Sequence, residues 1–160
     1  MKAISLWEPW ASLIRVGAKT YETRSWSTSY RGQLLICAAK KKDESAKELF
    51  DTPEFQKPFI GTHPGLLDGY LPFECLNFGK AVAIVELIRC EPTINLSFSD
   101  FSKEEMFGDY SPGRFEWKLR MINNKFIPFD VKGSQGFFEV DSVCACESCM
   151  ELRAKGEIDL

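Results

Sequence analysis

Two apolar runs set the architecture open to this chain: the continuous Gln-Leu-Leu-Ile-Cys-Ala-Ala at 33–39, and Ala-Val-Ala-Ile-Val-Glu-Leu-Ile-Arg-Cys at 81–90, which carries Glu86 and Arg89 near its end. Both are short and lack the polar face of an amphipathic helix, so they read as strands, the first buried on both faces. Residues 2–6 form a further short apolar segment, residues 20–26 are rich in Thr, Tyr and Trp, and shorter strand patterns follow at 115–121, 126–131 and 136–140. Asn123-Asn124 reads as a hairpin turn between 115–121 and 126–131, because Asn tolerates positive φ. The helix signals are brief. Pro9 suits a first turn, Trp10, Leu13 and Ile14 follow at helical spacing, and Gly17 ends the run. Residues 43–49 form a second short helix, and Ser102 with Glu105 makes a capping box in which Phe101 staples onto Met106. The expected fold is α+β: a small, partly closed mixed β-barrel of about five or six strands with two or three short flanking helices. Residues 51–79, punctuated by Pro53, Pro58, Pro64, Pro72, Gly61, Gly65 and Gly69, read as a long irregular insertion.

A chain of 160 residues with 44% hydrophobic content supports one core, here assigned to residues 1–141, with residues 142–160 as a charged C-terminal extension. There is no run of 18 or more apolar residues, and the first ten residues carry Glu and Pro where a signal peptide needs an apolar stretch. The expectation is a soluble, cytoplasmic protein that does not enter a membrane. Cys144, Cys146 and Cys149 cluster near the end, but a closed zinc site takes four ligands and the single histidine, His63, is distant. Reduced thiols are expected, with Cys37 and Cys90 buried in strands, and neither a metal nor another cofactor.

Net charge is −3, which argues against a surface that coats nucleic acid indiscriminately. Its distribution is uneven. Residues 15–42 hold seven basic side chains against one acidic, whereas residues after 42 hold 12 basic and 21 acidic. Within the basic stretch, residues 17–32 gather Lys19, Glu22, Arg24, Trp26 and Arg31 immediately after the first helix signal. On a regular strand Thr20, Glu22, Arg24 and Trp26 share one face and Thr23 the other, so Lys19 joins Glu22 only if the chain bends between Gly17 and Lys19. A second basic patch, Arg114, Lys118, Arg120 and Lys125 against Glu116, follows an aromatic run.

The strings Ser5-Leu6-Trp7-Glu8-Pro9-Trp10, Gly17-Ala18-Lys19-Thr20-Tyr21-Glu22-Thr23-Arg24-Ser25-Trp26 and Tyr30-Arg31-Gly32 resemble the ASCH (activating signal cointegrator homology) domain family. So do Phe107-Gly108-Asp109-Tyr110-Ser111-Pro112-Gly113-Arg114 and Gly133-Ser134-Gln135-Gly136, and the likeness spans nearly all of residues 1–141. The resemblance implies a PUA-like barrel with a cleft bordered by the first helix and the Lys-x-x-Glu-x-Arg strand, in a family associated with RNA, other nucleic acids and coregulator complexes. Some relatives are enzymes. One branch hydrolyses acetylated cytidine with a Lys and a Thr at Lys-x-x-Thr spacing, and another is linked to RNA cleavage. Here Lys19 fits the lysine, but Glu22 stands where the threonine would be.

Three readings follow. The first is a nucleic-acid-binding module that takes single-stranded RNA or a modified nucleotide, with Arg24 or Arg31 on phosphate, Trp7, Trp10 or Trp26 stacked on a base, and Glu22 accepting from an exocyclic amine. Lys19, Tyr110 and Arg114 complete its candidate ligand-binding set. The second is a hydrolase on an acylated nucleoside or RNA, with Lys19, Glu22 and Thr20 as catalytic candidates. The third is a protein-interaction or transcription coregulator adaptor using the proline-rich segment. The partner is a nucleic acid or a nucleotide-like small molecule, and the oligomeric state is open.

Overall fold

A computed structural model describes residues 1–63, 65–95, 104–122, 125–141 and 154–156. Strand β1 (Lys2–Leu6) lies parallel to β3 (Gly32–Ala38), and β3 pairs antiparallel with the long β4 (Lys80–Pro92). β5 (Phe115–Met121) pairs with β4 across a bulge between Leu87 and Arg89, and β2 (Tyr21–Arg24) adds to the outer edge of β5. The short β7 (Phe137–Glu139) pairs with β1, so the sheet runs β2-β5-β4-β3-β1-β7, with β6 (Phe129–Asp130) beside the start of β4. This is a curled mixed sheet, a half-barrel with a few short helices, and its two ends approach one another. Arg24 Nη2 of β2 donates to Ser5 O of β1 at 2.9 Å. Beside that bond the Trp26 ring stands edge-on to Trp117 and Phe137, with centroids 4.6 and 5.3 Å away.

The apolar run at 33–39 explains why β3 is central. Leu34 and Ile36 enter one core cluster with Ile4, Leu6, Ile14, Trp117 and Leu119, while Leu35 and Cys37 enter another with Ala3, Ile84, Phe126 and Val140. Alternate residues of one strand therefore feed two cores, as a strand covered on both faces requires. Burial pushes the Cys37 thiol up to about 12, in keeping with an inert thiol. Cys90, expected to be buried, is only half-buried because β4 beyond its bulge nears the sheet's edge.

Helix α1 (Trp10–Arg15) packs on the sheet through Ala11 and Ile14. Pro9 provides no side-chain cap; instead the Glu8 carboxylate accepts from Ser12 N at 3.0 Å and Ser12 Oγ at 2.7 Å. After the helix Gly17 adopts φ +78°, and the Ala18 and Lys19 amides donate back to Leu13 O.

Two expectations change. The segment 126–131 shortens to β6 and pairs through Asp130 and Phe129 with Lys80 and Ala81 of β4, and among the described residues it forms no ladder with β5. The insertion is not irregular throughout. The helix expected at 43–49 forms as α2 (Glu44–Phe50), but within the insertion α3 (Pro53–Gln56) follows, and Phe50, Phe55, Phe59 and Phe73 collapse with Leu13, Leu71 and Phe107 into a third apolar cluster. Phe101, Ser102, Asn123, Asn124, Cys144, Cys146, Cys149 and nearly all of the extension lie outside the described residues. Among the described residues no helix is long and apolar enough to cross a membrane, and no group of three or more His, Cys, Asp or Glu is placed to hold a metal ion.

Candidate functional site

The bend after α1 delivers Lys19 under the start of β2. Its side chain is 1% exposed, and Nζ donates to the carbonyl oxygens of Tyr21 and Phe107, the latter at 2.8 Å. Nζ also lies 3.6 Å from Glu22 Oε2, and the other carboxylate oxygen, Oε1, lies 3.1 Å from Arg24 Nε. Burial lowers the Lys19 pKa, and the charges of Glu22 and Glu104 oppose that fall. The geometry favours the ammonium: a neutral amine would give its two hydrogens to the carbonyls and turn its lone pair toward a carboxylate. Glu22 thus sits between two cations, one beneath it and one beside it.

These groups form the floor of a cleft of about 1090 Å³ at the meeting of the sheet's two ends. That volume is at the upper end of what small-molecule sites enclose. Trp7, Trp10 and Trp26 line it together with the segment 131–136 and residues 39–41, which follow β3. Trp7 is 43% exposed with Lys41 Nζ 5.8 Å from its ring centroid, whereas Trp10 and Trp26 are partly buried against the core. Among the described residues, six basic side chains, Lys19, Arg24, Lys40, Lys41, Arg114 and Lys132, line the cleft against two acidic ones, Glu22 and Asp109. The wall at 132–136 stands close to β1, since a Cβ on Gly133 would come within 2.5 Å of Ser5 Oγ.

Of the residues singled out from sequence, Trp7, Trp10, Lys19, Glu22, Arg24, Trp26 and Arg114 come together around this cleft. Arg114 is held at its edge by Asp109 O at 3.0 Å and Thr23 O at 3.3 Å. Three others lie elsewhere. The Thr20 hydroxyl donates to Glu104 Oε1 at 2.5 Å, while Glu104 Oε2 accepts from the Thr20 and Tyr21 amides. Arg31 turns back on its own loop, to Thr28 O at 2.9 Å and Tyr30 O at 2.7 Å. The Tyr110 ring packs against Gly108, where a Cβ would come within 2.8 Å of it, and burial raises the hydroxyl's pKa. Sequence reasoning did not name Lys40, Lys41 or Lys132 as site residues. The dense charge at 15–42 was the signal for the first two; for Lys132 only the adjoining Gly-Ser-Gln-Gly string offered one.

Comparison with known protein families matches residues 4–153 to the ASCH domain. Human activating signal cointegrator 1 is 30% identical over 141 residues, which cover 87% of this chain and 22% of the human protein. The Mus musculus protein of the same name is 29% identical over 141 residues with the same coverage, so the chain spans 22% of the length of these curated relatives. Among solved structures, the ZmASCH variant from Zymomonas mobilis superposes with a TM-score of 0.50 at 15% identity, covering 96% of both chains.

Proposed function

Because this chain belongs to the ASCH domain family, whose PUA-like modules generally bind RNA, we propose that its cleft binds single-stranded RNA, with one base inserted against the Glu22 floor. The observation that carries the reading is the cleft's charge: among the described residues, six basic side chains against two acidic, in a chain whose net charge is −3. Such a local excess attracts a polyanion without making the whole surface adhesive. Trp7 presents an exposed ring for stacking, and Glu22, its charge balanced by Lys19 and Arg24, accepts hydrogen bonds from a base amine. In this reading Lys41, beside the Trp7 ring, meets the phosphate next to the stacked base.

Binding is favoured over hydrolysis by two features of the same site. The Lys19 ammonium has no lone pair with which to accept a proton, and the Thr20 hydroxyl is engaged by Glu104 outside the cleft. Fluorescence anisotropy with a labelled single-stranded RNA in low salt tests the reading. Trp7→Ala is expected to weaken binding by about 1–3 kcal/mol, the usual loss for one stacked base. Lys41→Ala is expected to reduce the salt slope of log K by about 0.7. Both residues are exposed, so the fold persists, and unchanged RNA affinity in both variants would falsify the reading.

A further inference from the structure

The cleft does not end at its own rim. A second, smaller cavity of about 400 Å³ lies next to it, lined by Lys40, Phe78, Gly79, Asp130, Val131 and Lys132, and Lys40 and Lys132 line both. We propose that Lys40 and Lys132 form a phosphate gate joining the two cavities, so that the ligand is an RNA strand several nucleotides long which continues from the cleft into the Phe78 groove. This deepens the cleft-binding reading and rests on it.

The placement of the two lysines is a consequence of backbone structure. Gly79 N donates to Ala38 O at 3.1 Å, and Val131 N donates to Gly79 O at 3.0 Å. Three segments are thereby tied side by side, with Lys40 two residues beyond Ala38 and Lys132 next to Val131. Gly79 has φ +72°, and a Cβ there would sit 3.6 Å from the Lys40 side chain. The bonded framework holds the backbones bearing the two ammonium groups in place, while both side chains remain exposed. Among the described residues neither lysine makes an ion pair.

The charges around the groove agree with an anionic occupant. Asp130, the one acidic lining residue among the described residues, is paired with Lys80 at 3.0 Å, and Lys42 Nζ stands 5.1 Å from the Phe78 ring centroid. The groove therefore combines cations with an aromatic ring, the pairing that single-strand binders use for backbone and base. A free nucleotide would fill only the first cleft and leave this adjoining surface without a role.

Isothermal titration of the full chain with cytidine monophosphate and with a cytidine hexanucleotide, whose bases carry the amine that Glu22 accepts from, tests the gate. The hexanucleotide is expected to bind at least roughly tenfold more tightly, and Lys40→Ala/Lys132→Ala to weaken it roughly tenfold more than the monophosphate, with a salt slope shallower by about 1.4. A Lys47→Ala/Lys57→Ala control, carrying the same charge change on α2 and the insertion, should alter neither ligand. A hexanucleotide no tighter than the monophosphate, or equal losses for both ligands, overturns the gate while leaving the cleft reading intact. If neither ligand binds the unaltered chain, both fall together.

Discussion

Glu8 shows how one buried side chain couples this fold to pH. Its carboxylate is 1% exposed and accepts from Ser12 N, Ser12 Oγ and Asn77 N, joining α1 to the segment before β4. Burial nevertheless outweighs those bonds and raises its pKa from 4.5 to about 7. A carboxyl raised in the folded state keeps its proton where the unfolded chain has lost it. Its contribution is thus full below about pH 4.5 and declines as pH rises to about 7, a change of about 3 kcal/mol. Urea unfolding of the native chain and Glu8→Gln at intervals from pH 4.5 to 7.5 measures this difference. The variant should lack the decline, whatever constant offset its amide introduces; parallel pH profiles would show that Glu8 is ionised throughout. His63 has the opposite sign, since burial and Arg15 lower its pKa, but it is common to both proteins and cancels. At Lys19, Lys19→Met would leave the Tyr21 and Phe107 carbonyls without their donor and Glu22 with only Arg24. A loss of about 3 kcal/mol in the same assay is expected for a half-broken buried pair, and a loss below about 1 kcal/mol would show that the pair is not structural. This site was legible in part from its parity. The strand alternation placed Glu22 with Arg24 and required a bend to bring in Lys19, but it also placed Thr20 with them, and the partner that draws Thr20 away, Glu104, lies 84 residues on.

At the level of elements, the insertion shows why punctuation by Pro and Gly misled and where the fold was readable. Pro53 opens α3 and Pro58 lies in the single 3-10 turn that follows it, Lys57–Phe59. Proline is tolerated in a first helical turn, where its missing N–H has no partner to lose. What holds the segment is aromatic spacing, with the Phe50 ring 5.4 Å from Phe59 and 5.7 Å from Phe73. Phe59→Ala should cost about 3–5 kcal/mol and increase cleavage within residues 57–70 under limited proteolysis. Proteolysis unchanged at those residues would mean that the cluster is not what orders them. The strands were legible because each core strand carries its own apolar run. Their partners were not: β6 has two residues, too few for a pattern, and its pairing with β4 follows from the path of the sheet. The helix cap was hidden for a similar reason, since the Glu8 side chain acts from outside the helix in place of Pro9.

Across the whole molecule, the decisive feature is that the half-barrel is left open along one seam and the cleft lies over it. On one side are β2 and Trp26; on the other are β1, β7 and the segment 132–136. Among the described residues no strand ladder spans that gap, which is bridged by the Arg24 bond to Ser5 O and the contacts of Trp26 with Phe137. A ligand touching both walls therefore adds contacts that cross the seam, and it binds the folded chain alone. Mass action then stabilises the fold by about 2.7 kcal/mol at a free ligand concentration near 100 times Kd. For a domain of this size that corresponds to a rise in Tm of roughly 5–10 °C. Melting curves followed by tryptophan fluorescence, with the cytidine hexanucleotide at that loading, should show this rise for the native chain. Trp26→Ala removes one bridge and should lower the Tm of the free protein while leaving most of the ligand-induced rise, because the ligand itself still touches both walls. A Trp26→Ala protein with an unchanged Tm would show that the seam is held elsewhere. A hexanucleotide that binds without raising the Tm of the native chain would contradict selective binding to its folded state.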